Sequence, residues 1–208
     1  MHAGGPNFCV VQKNRHRTIW ECLCMNENPQ LADPSFIAPY GSNNVLQVVI
    51  ETPKNSRNKY AFDHDRHVIV LRKILPAGMV FPYDFGFVPS TLAEDGDPID
   101  VLVLMDEPVF PGCVVEARVI GVIEGEDELE DGAKQRNDRV LAVASVSQQF
   151  ENVKTIGDMP KQIVSHMEEF FANYPRLLSG KIYNVLGSKG PEEAARLIEG
   201  ARKNASAD

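Results

Sequence analysis

From residue 45 onward, short β-branched runs follow one another, punctuated by Pro, Gly and Asp, with no helical period between them. The runs Val45–Glu51, Tyr60–Phe62, Val68–Arg72, Ile99–Leu104, Cys113–Ile123 and Arg139–Val146 predict strands. A parallel βαβ sheet needs a helix after each strand, so this order predicts a small antiparallel barrel in a mainly β, α+β chain. Helical spacing comes only at the end. After Pro160, the residues Ile163, Val164, Met167, Phe170, Phe171 and Tyr174 share one face, and Pro191 opens a second helix with Ala194, Ala195, Leu197 and Ile198 as its apolar side. The 208 residues suffice for one domain with a real core, not for two ordinary ones.

Residues 1–44 carry no sustained period and are rich in Asn, Pro, Gly and Ser. They predict an irregular N-terminal extension, with the folded domain over 45–203 and a short tail at 204–208. Met25 precedes the most polar stretch and is the expected native start, which makes residues 1–24 an upstream extension. Cys9, Cys22, Cys24 and Cys113 fit neither the redox CxxC spacing nor a zinc pair, so they predict unpaired, reduced thiols. Lys13, Arg15, Arg17 and Glu21 interrupt any apolar leader, and no apolar run approaches a membrane span. Cytoplasmic localisation, away from membranes, is the expectation.

Charge narrows the function. The 21 Lys and Arg stand against 29 Asp and Glu, net −8, which argues against a nucleic-acid partner because backbone binding needs clustered cations. Acid is concentrated between Asp84 and Asp138, where only Arg118, Lys134 and Arg136 oppose it and the local charge is about −12. Part of that, Glu124 to Asp131 (EGEDELED), predicts a solvated loop tip.

The rest centres on Glu94-Asp95-Gly96-Asp97-Pro98-Ile99-Asp100, which runs straight into Val101-Leu102-Val103-Leu104. Gly96 permits a tight backbone and Pro98 fixes its own φ, so three carboxylates project from a stiff turn at the mouth of a buried strand. Hard divalent cations prefer oxygen, and Mg²⁺ commonly takes one or two carboxylates while phosphate and water complete its shell. Zinc is disfavoured because no His or Cys joins the cluster. An EF-hand is excluded, since counting from Asp95 its required Gly and Glu positions hold Asp100 and Asp106.

These residues resemble the soluble family I inorganic pyrophosphatases. Asp95 to Leu104 match the family's D-G-D-P-x-D signature and its following apolar strand. Similarity extends through VVIETP (Val48–Pro53), KYAFD (Lys59–Asp63), FPYDFGFVP (Phe81–Pro89), PG (Pro111–Gly112), NDRVLAV (Asn137–Val143) and FFANYP (Phe170–Pro175). The resemblance implies a five-stranded, OB-like closed barrel with two C-terminal flanking helices. It implies Mg²⁺-dependent hydrolysis of pyrophosphate to two orthophosphates by a metal-activated water, in a homo-oligomer. By position, Asp95, Asp100, Asp131 and Asn137 resemble metal ligands, and Asp97 resembles the base that takes a proton from the attacking water. Lys59, Arg72, Arg139 and Tyr174 resemble the substrate-phosphate contacts, with Glu51 at the edge of the site.

The chain departs from the family pattern at several points. Ala61 replaces an acid, Phe81 and Phe85 replace tyrosines, Arg139 replaces a Lys, Pro175 replaces a Lys, and Asn137 replaces a metal-ligating Asp. An Asn carbonyl still ligates Mg²⁺ but brings no formal charge, so metal affinity falls. Asp138 is adjacent, yet strand neighbours face opposite sides. Arg176 is the expected replacement for the charge lost at Pro175, and Phe85 lacks a hydroxyl that would otherwise reach the nucleophilic water. Two alternatives accompany this reading: a catalytically weakened homologue that binds a phosphate ligand or a protein, and a hydrolase of another phosphoanhydride.

Overall fold

The computed structural model describes Pro34 and residues 37–205. Cys9, Cys22, Cys24 and the expected start at Met25 lie outside the described residues. The strands run β1 (Leu46–Thr52), β2 (Asn58–Asp63), β3 (Val68–Ile74), β4 (Asp84–Phe87), β5 (Asp100–Leu104), β6 (Val114–Glu128), β7 (Lys134–Arg136) and β8 (Arg139–Ala144). A 3₁₀ turn at Ile156–Asp158 leads to α1 (Lys161–Ser179), then β9 (Ile182–Lys189) and α2 (Pro191–Ala205). Residues 37–44, part of the expected extension, are bonded to the domain. Pro39 accepts the Gln47 amide at 2.9 Å and Ser90 Oγ donates to the Ile37 carbonyl at 2.9 Å. Cys113 is a free, half-buried thiol, and among the described residues no helix is long and apolar enough to cross a membrane.

Strand pairing follows the order β1-β4-β5-β8-β6, with β6 also pairing β1, β7 and β9, while β2 and β3 form a separate hairpin. Against the antiparallel expectation, β5 and β8 are parallel, with Asp100 opposite Arg139. Parallel neighbours need a long crossover, and here the β6–β7 excursion supplies it in place of a helix. Three strands escaped the sequence pattern. The four residues of β4 are buried on both faces and show no alternation, β7 has only three residues, and β9 is interrupted by Asn184 and Gly187.

The expected loop tip also changes. Glu124 to Glu128 continue β6, paired with β9 on one side and partly with β7 on the other, so only the turn beyond Glu128 is a tip. Both ladders consume backbone groups that a loop would leave to water.

Two core layers explain the VLVL run. Val101 and Val103 pack with Val48, Ile50 and Ile198 on the α2 side, whereas Leu102 and Leu104 pack with Phe85, Met167 and Phe171 on the α1 side. Alternate side chains leave opposite faces of a strand, so a strand buried on both faces reads as continuously apolar. In α1, Met167, Phe171 and Tyr174 are buried at helical spacing; in α2 the buried set is Ala194, Ile198 and Ala201, while Ala195 faces solvent against expectation.

Candidate active site

A cavity of about 750 Å³ opens where the Asp95–Asp100 loop, the β2–β3 hairpin, the start of β8 and the end of α1 meet. Its acidic wall begins with that loop. Gly96 sits at φ 87°, a region glycine enters without steric cost. The Asp97 amide donates to Asp95 Oδ1 at 3.1 Å, and the Asp97 carbonyl accepts the Ala93 amide at 2.8 Å. The turn is therefore held by backbone bonding and by the Asp95 carboxylate, with Asp97 exposed and Asp95 and Asp100 partly buried. Burial raises the Asp95 and Asp100 carboxyls above their ordinary range; Arg139 and then Lys59 work against that rise at Asp100.

Two irregular pairings aim further groups inward. Between Ile50 and Thr52 the β1–β4 register slips, and the extra residue is Glu51. Between Lys59 and Tyr60 the β2–β3 register slips, and the extra residue is Arg72. A bulge turns a side chain off the regular alternation, and both residues line the cavity. Glu51 Oε1 accepts the Phe62 amide at 2.6 Å; burial nevertheless pushes its carboxyl up to about 7. Arg72 reaches Asp63 at 3.5 Å.

The basic wall rests on aromatic rings. Lys59 Nζ lies 5.2 Å from the Phe85 ring centre and 3.4 Å from Tyr174 Oη. Tyr174 is thus both core, as an apolar-face helical residue should be, and a cavity wall. Arg139 packs over Phe171 and Tyr183, donates to the Asn137 carbonyl at 3.0 Å, and pairs with Asp100 Oδ2 at 2.9 Å. Burial opposes its charge, but Asp100 holds the guanidinium firmly protonated.

Ten of the sequence-selected residues line this cavity: Glu51, Lys59, Arg72 and Phe85; Asp95, Asp97 and Asp100; Asn137, Arg139 and Tyr174. Two do not. Asp131 lies on the exposed turn beyond β6, where Oδ1 accepts the Ala133 amide at 2.9 Å. Arg176 is exposed and donates to Asn173 Oδ1 at 2.9 Å. In their place the cavity contains Asp127 and Lys181. Asp127 was hidden inside the acid run, and the signal that marks it is the strand alternation that the run itself obscured.

The Asp127 position is built by Gly125. A Cβ there would fall 2.0 Å from Tyr183 Oη, and its absence lets that hydroxyl donate to the Asn137 carbonyl at 2.9 Å. Asn137 Nδ2 then donates to Asp127 Oδ2 at 2.7 Å, while Asn137 Oδ1 accepts from Arg139. Asp138 faces the other way, accepting from Gly125 N and Arg136, and does not line the cavity. It therefore does not substitute for the missing carboxylate at Asn137.

The donor set suits a hard cation: Asp95, Asp97, Asp100 and Asp127 offer oxygens with no soft ligand among them. Among the described residues no three such groups already converge as a metal cage. Carboxylates facing lysine and arginine in one cavity suit small phosphate anions bridged by a hard cation, the arrangement of a phosphate-handling enzyme.

Similarity to known proteins narrows the class. A family profile described as inorganic pyrophosphatase matches residues 48–206. The inorganic pyrophosphatase of Synechocystis sp. is 38% identical over 172 residues, covering 83% of this chain and 98% of that one. The inorganic pyrophosphatase of Thermus thermophilus is 43% identical over 145 residues, covering 69% and 80%. A crystal structure of inorganic pyrophosphatase from Thermus thermophilus superposes with a TM-score of 0.76 at 35% identity, covering 84% of this chain and 99% of that one. The chain belongs to the inorganic pyrophosphatase family.

Proposed function

We propose that this chain hydrolyses inorganic pyrophosphate to two orthophosphates with Mg²⁺ as cofactor. The observation that carries the reading is one cavity in which Asp95, Asp97, Asp100 and Asp127 face Lys59, Arg72 and Arg139. A compact polyanion is repelled by carboxylates unless cations stand between them. Asp95, Asp100 and Asp127 are the carboxylates that would give oxygen to Mg²⁺, one or two to an ion, and Mg²⁺ would supply that charge and acidify a water. Asp127 takes the role that the resemblance gave to Asp131.

Asp97 accepts the proton as the water oxygen bonds to phosphorus and the bridging oxygen–phosphorus bond breaks. Lys59, Arg72 and Arg139 stabilise charge on the transferred and departing phosphates, and Tyr174 holds Lys59 in place. Glu51, drawn inward by its bulge, faces the same anion with a carboxyl that titrates near neutrality. The pairing of β6 back onto β1 supports a closed five-stranded, OB-like barrel beneath this site. The protein is read as a cytoplasmic homo-oligomer, which sedimentation of the purified chain checks for assembly.

Phosphate release measured with Mg²⁺ and pyrophosphate, tripolyphosphate or ATP tests the activity. Turnover is expected with pyrophosphate above the other two. Binding of pyrophosphate without release would favour a weakened homologue, and preference for tripolyphosphate or ATP would favour another phosphoanhydride hydrolase.

Asn137 sets the metal requirement. Replacing its amide with a carboxylate adds a negative charge beside Asp127, so Asn137→Asp is expected to lower the Mg²⁺ concentration for half-maximal rate about tenfold, some 1.4 kcal/mol of metal binding. A Mg²⁺ titration giving an unchanged or higher requirement would remove Asn137 from the metal site.

A further inference from the structure

We infer that Lys181 is a further substrate-phosphate-binding residue, the cation that sets how tightly the outer part of the cavity holds its anion; this rests on the pyrophosphate-hydrolysing reading above. The two cavity arginines are already paired with carboxylates, and Lys59 is drawn in against a ring and a phenol. Arg139 pairs with Asp100 at 2.9 Å, Arg72 reaches Asp63 at 3.5 Å, and Lys59 lies against Tyr174 at 3.4 Å. Like Lys59, Lys73 and Lys181 line the cavity without an ion-pair partner among the described residues, and both are exposed where Lys59 is not. A polyanion gains most from a cation whose charge is not already neutralised.

The two differ in how they are held. Lys73 stands on the β2–β3 hairpin, opposite Lys59. Lys181 stands between two anchored elements. Gly180, at φ 71°, ends α1 with its amide on the Arg176 carbonyl at 3.0 Å. Directly after Lys181, β9 begins its ladder with Ile182 opposite Glu128 and Tyr183 opposite Asp127. This register brings the lysine beside the strand that carries the Asp127 carboxylate.

Lys181 also lines a second cavity of about 390 Å³, sharing Asp127, Gln135 and Ser179 with the first. It therefore stands at the junction of the two. The end of α1 offers no rival. Pro175 has no charge and Arg176 is turned to Asn173, so without Lys181 that side of the cavity has no cation from α1 or β9.

Steady-state kinetics of the full chain with pyrophosphate and Mg²⁺ tests the assignment. Lys181→Gln is expected to raise KM about tenfold with kcat nearly unchanged. Lys181→Arg should restore most of the affinity, and Lys73→Gln should have a clearly smaller effect. Unchanged KM in Lys181→Gln, a fall in kcat alone, or an equal effect of Lys73→Gln would overturn the inference. If the parent chain did not hydrolyse pyrophosphate, the functional reading would fail instead. Calorimetric binding of imidodiphosphate to parent and Lys181→Gln would then still decide whether Lys181 holds a diphosphate.

Discussion

Asp97→Asn is expected to reduce pyrophosphate turnover by about 10²–10⁴-fold, the range of general-base catalysis, while leaving the protein folded. The amide is nearly isosteric with the carboxylate and lacks its basicity. Nothing in the turn depends on the carboxylate, because Asp97 contributes to it through its backbone: the amide to Asp95 Oδ1 and the carbonyl to Ala93. The side chain is exposed in the cavity. Steady-state phosphate release and thermal unfolding, measured on the same preparation, separate the two effects. Near-parental turnover would assign the proton to another group, and Glu51 would be the first to examine. A large loss of stability would mean that the carboxylate braces the turn.

Arg139→Met should act on both stability and rate. Arg139 is buried, stacked on Phe171 and Tyr183, and paired with an Asp100 carboxylate that keeps some solvent contact. Removing one partner of such a pair leaves the other charge without compensation, at a cost of about 3 kcal/mol. Chemical denaturation in the absence of added metal measures it.

The pH dependence has a definite sign. Burial already raises the Asp100 carboxyl in the folded chain, and removing the arginine raises it further. A raised carboxyl binds its proton more tightly in the folded state than in the unfolded state. The penalty therefore appears as pH climbs past the unfolded value near 3.8 and is absent below it. The stability deficit of Arg139→Met should shrink on acidification toward pH 4. Turnover should fall by about 10²-fold or more, as expected when a fixed charge facing the reacting anion is lost. Arg139→Lys keeps the charge and should recover most of the stability. Parental denaturation midpoints for Arg139→Met would show that the Asp100 pair carries no weight.

Much of the site was legible because its chemistry is local. Asp95, Asp97 and Asp100 share one turn, and their carboxylates, Gly96 and Pro98 can be recognised without knowing any long-range contact. Lys59, Arg72 and Tyr174 are isolated in the chain, and only resemblance assigned them; alone they read as solvated charges and a core aromatic. Asp127 escaped because the EGEDELED run has the composition of a loop tip, whereas β7 and β9 pair its flanks and make it strand. Lys181 escaped for a related reason. Charge lost at Pro175 was sought at the next residue, but Arg176 is exposed and a cation past the end of the helix lines the cavity instead. Neither β4 nor β9 shows the alternation by which a strand is recognised from its sequence.

The order of residues alone determined a mainly β domain with two late helices, a stiff carboxylate turn entering a doubly buried strand, and the preference of that turn for hard cations. Those properties depend on neighbours within a few positions: side-chain period, backbone permissions at Gly and Pro, and ligand hardness. Tertiary structure alone decided that β5 and β8 run parallel with Asp100 opposite Arg139, and that bulges turn Glu51 and Arg72 inward. It also decided that Asp127 and Lys181, rather than Asp131 and Arg176, line the cavity. Register is the physical reason: a shift of one residue moves a side chain to the opposite face of its strand, and that shift is set by the partner strand.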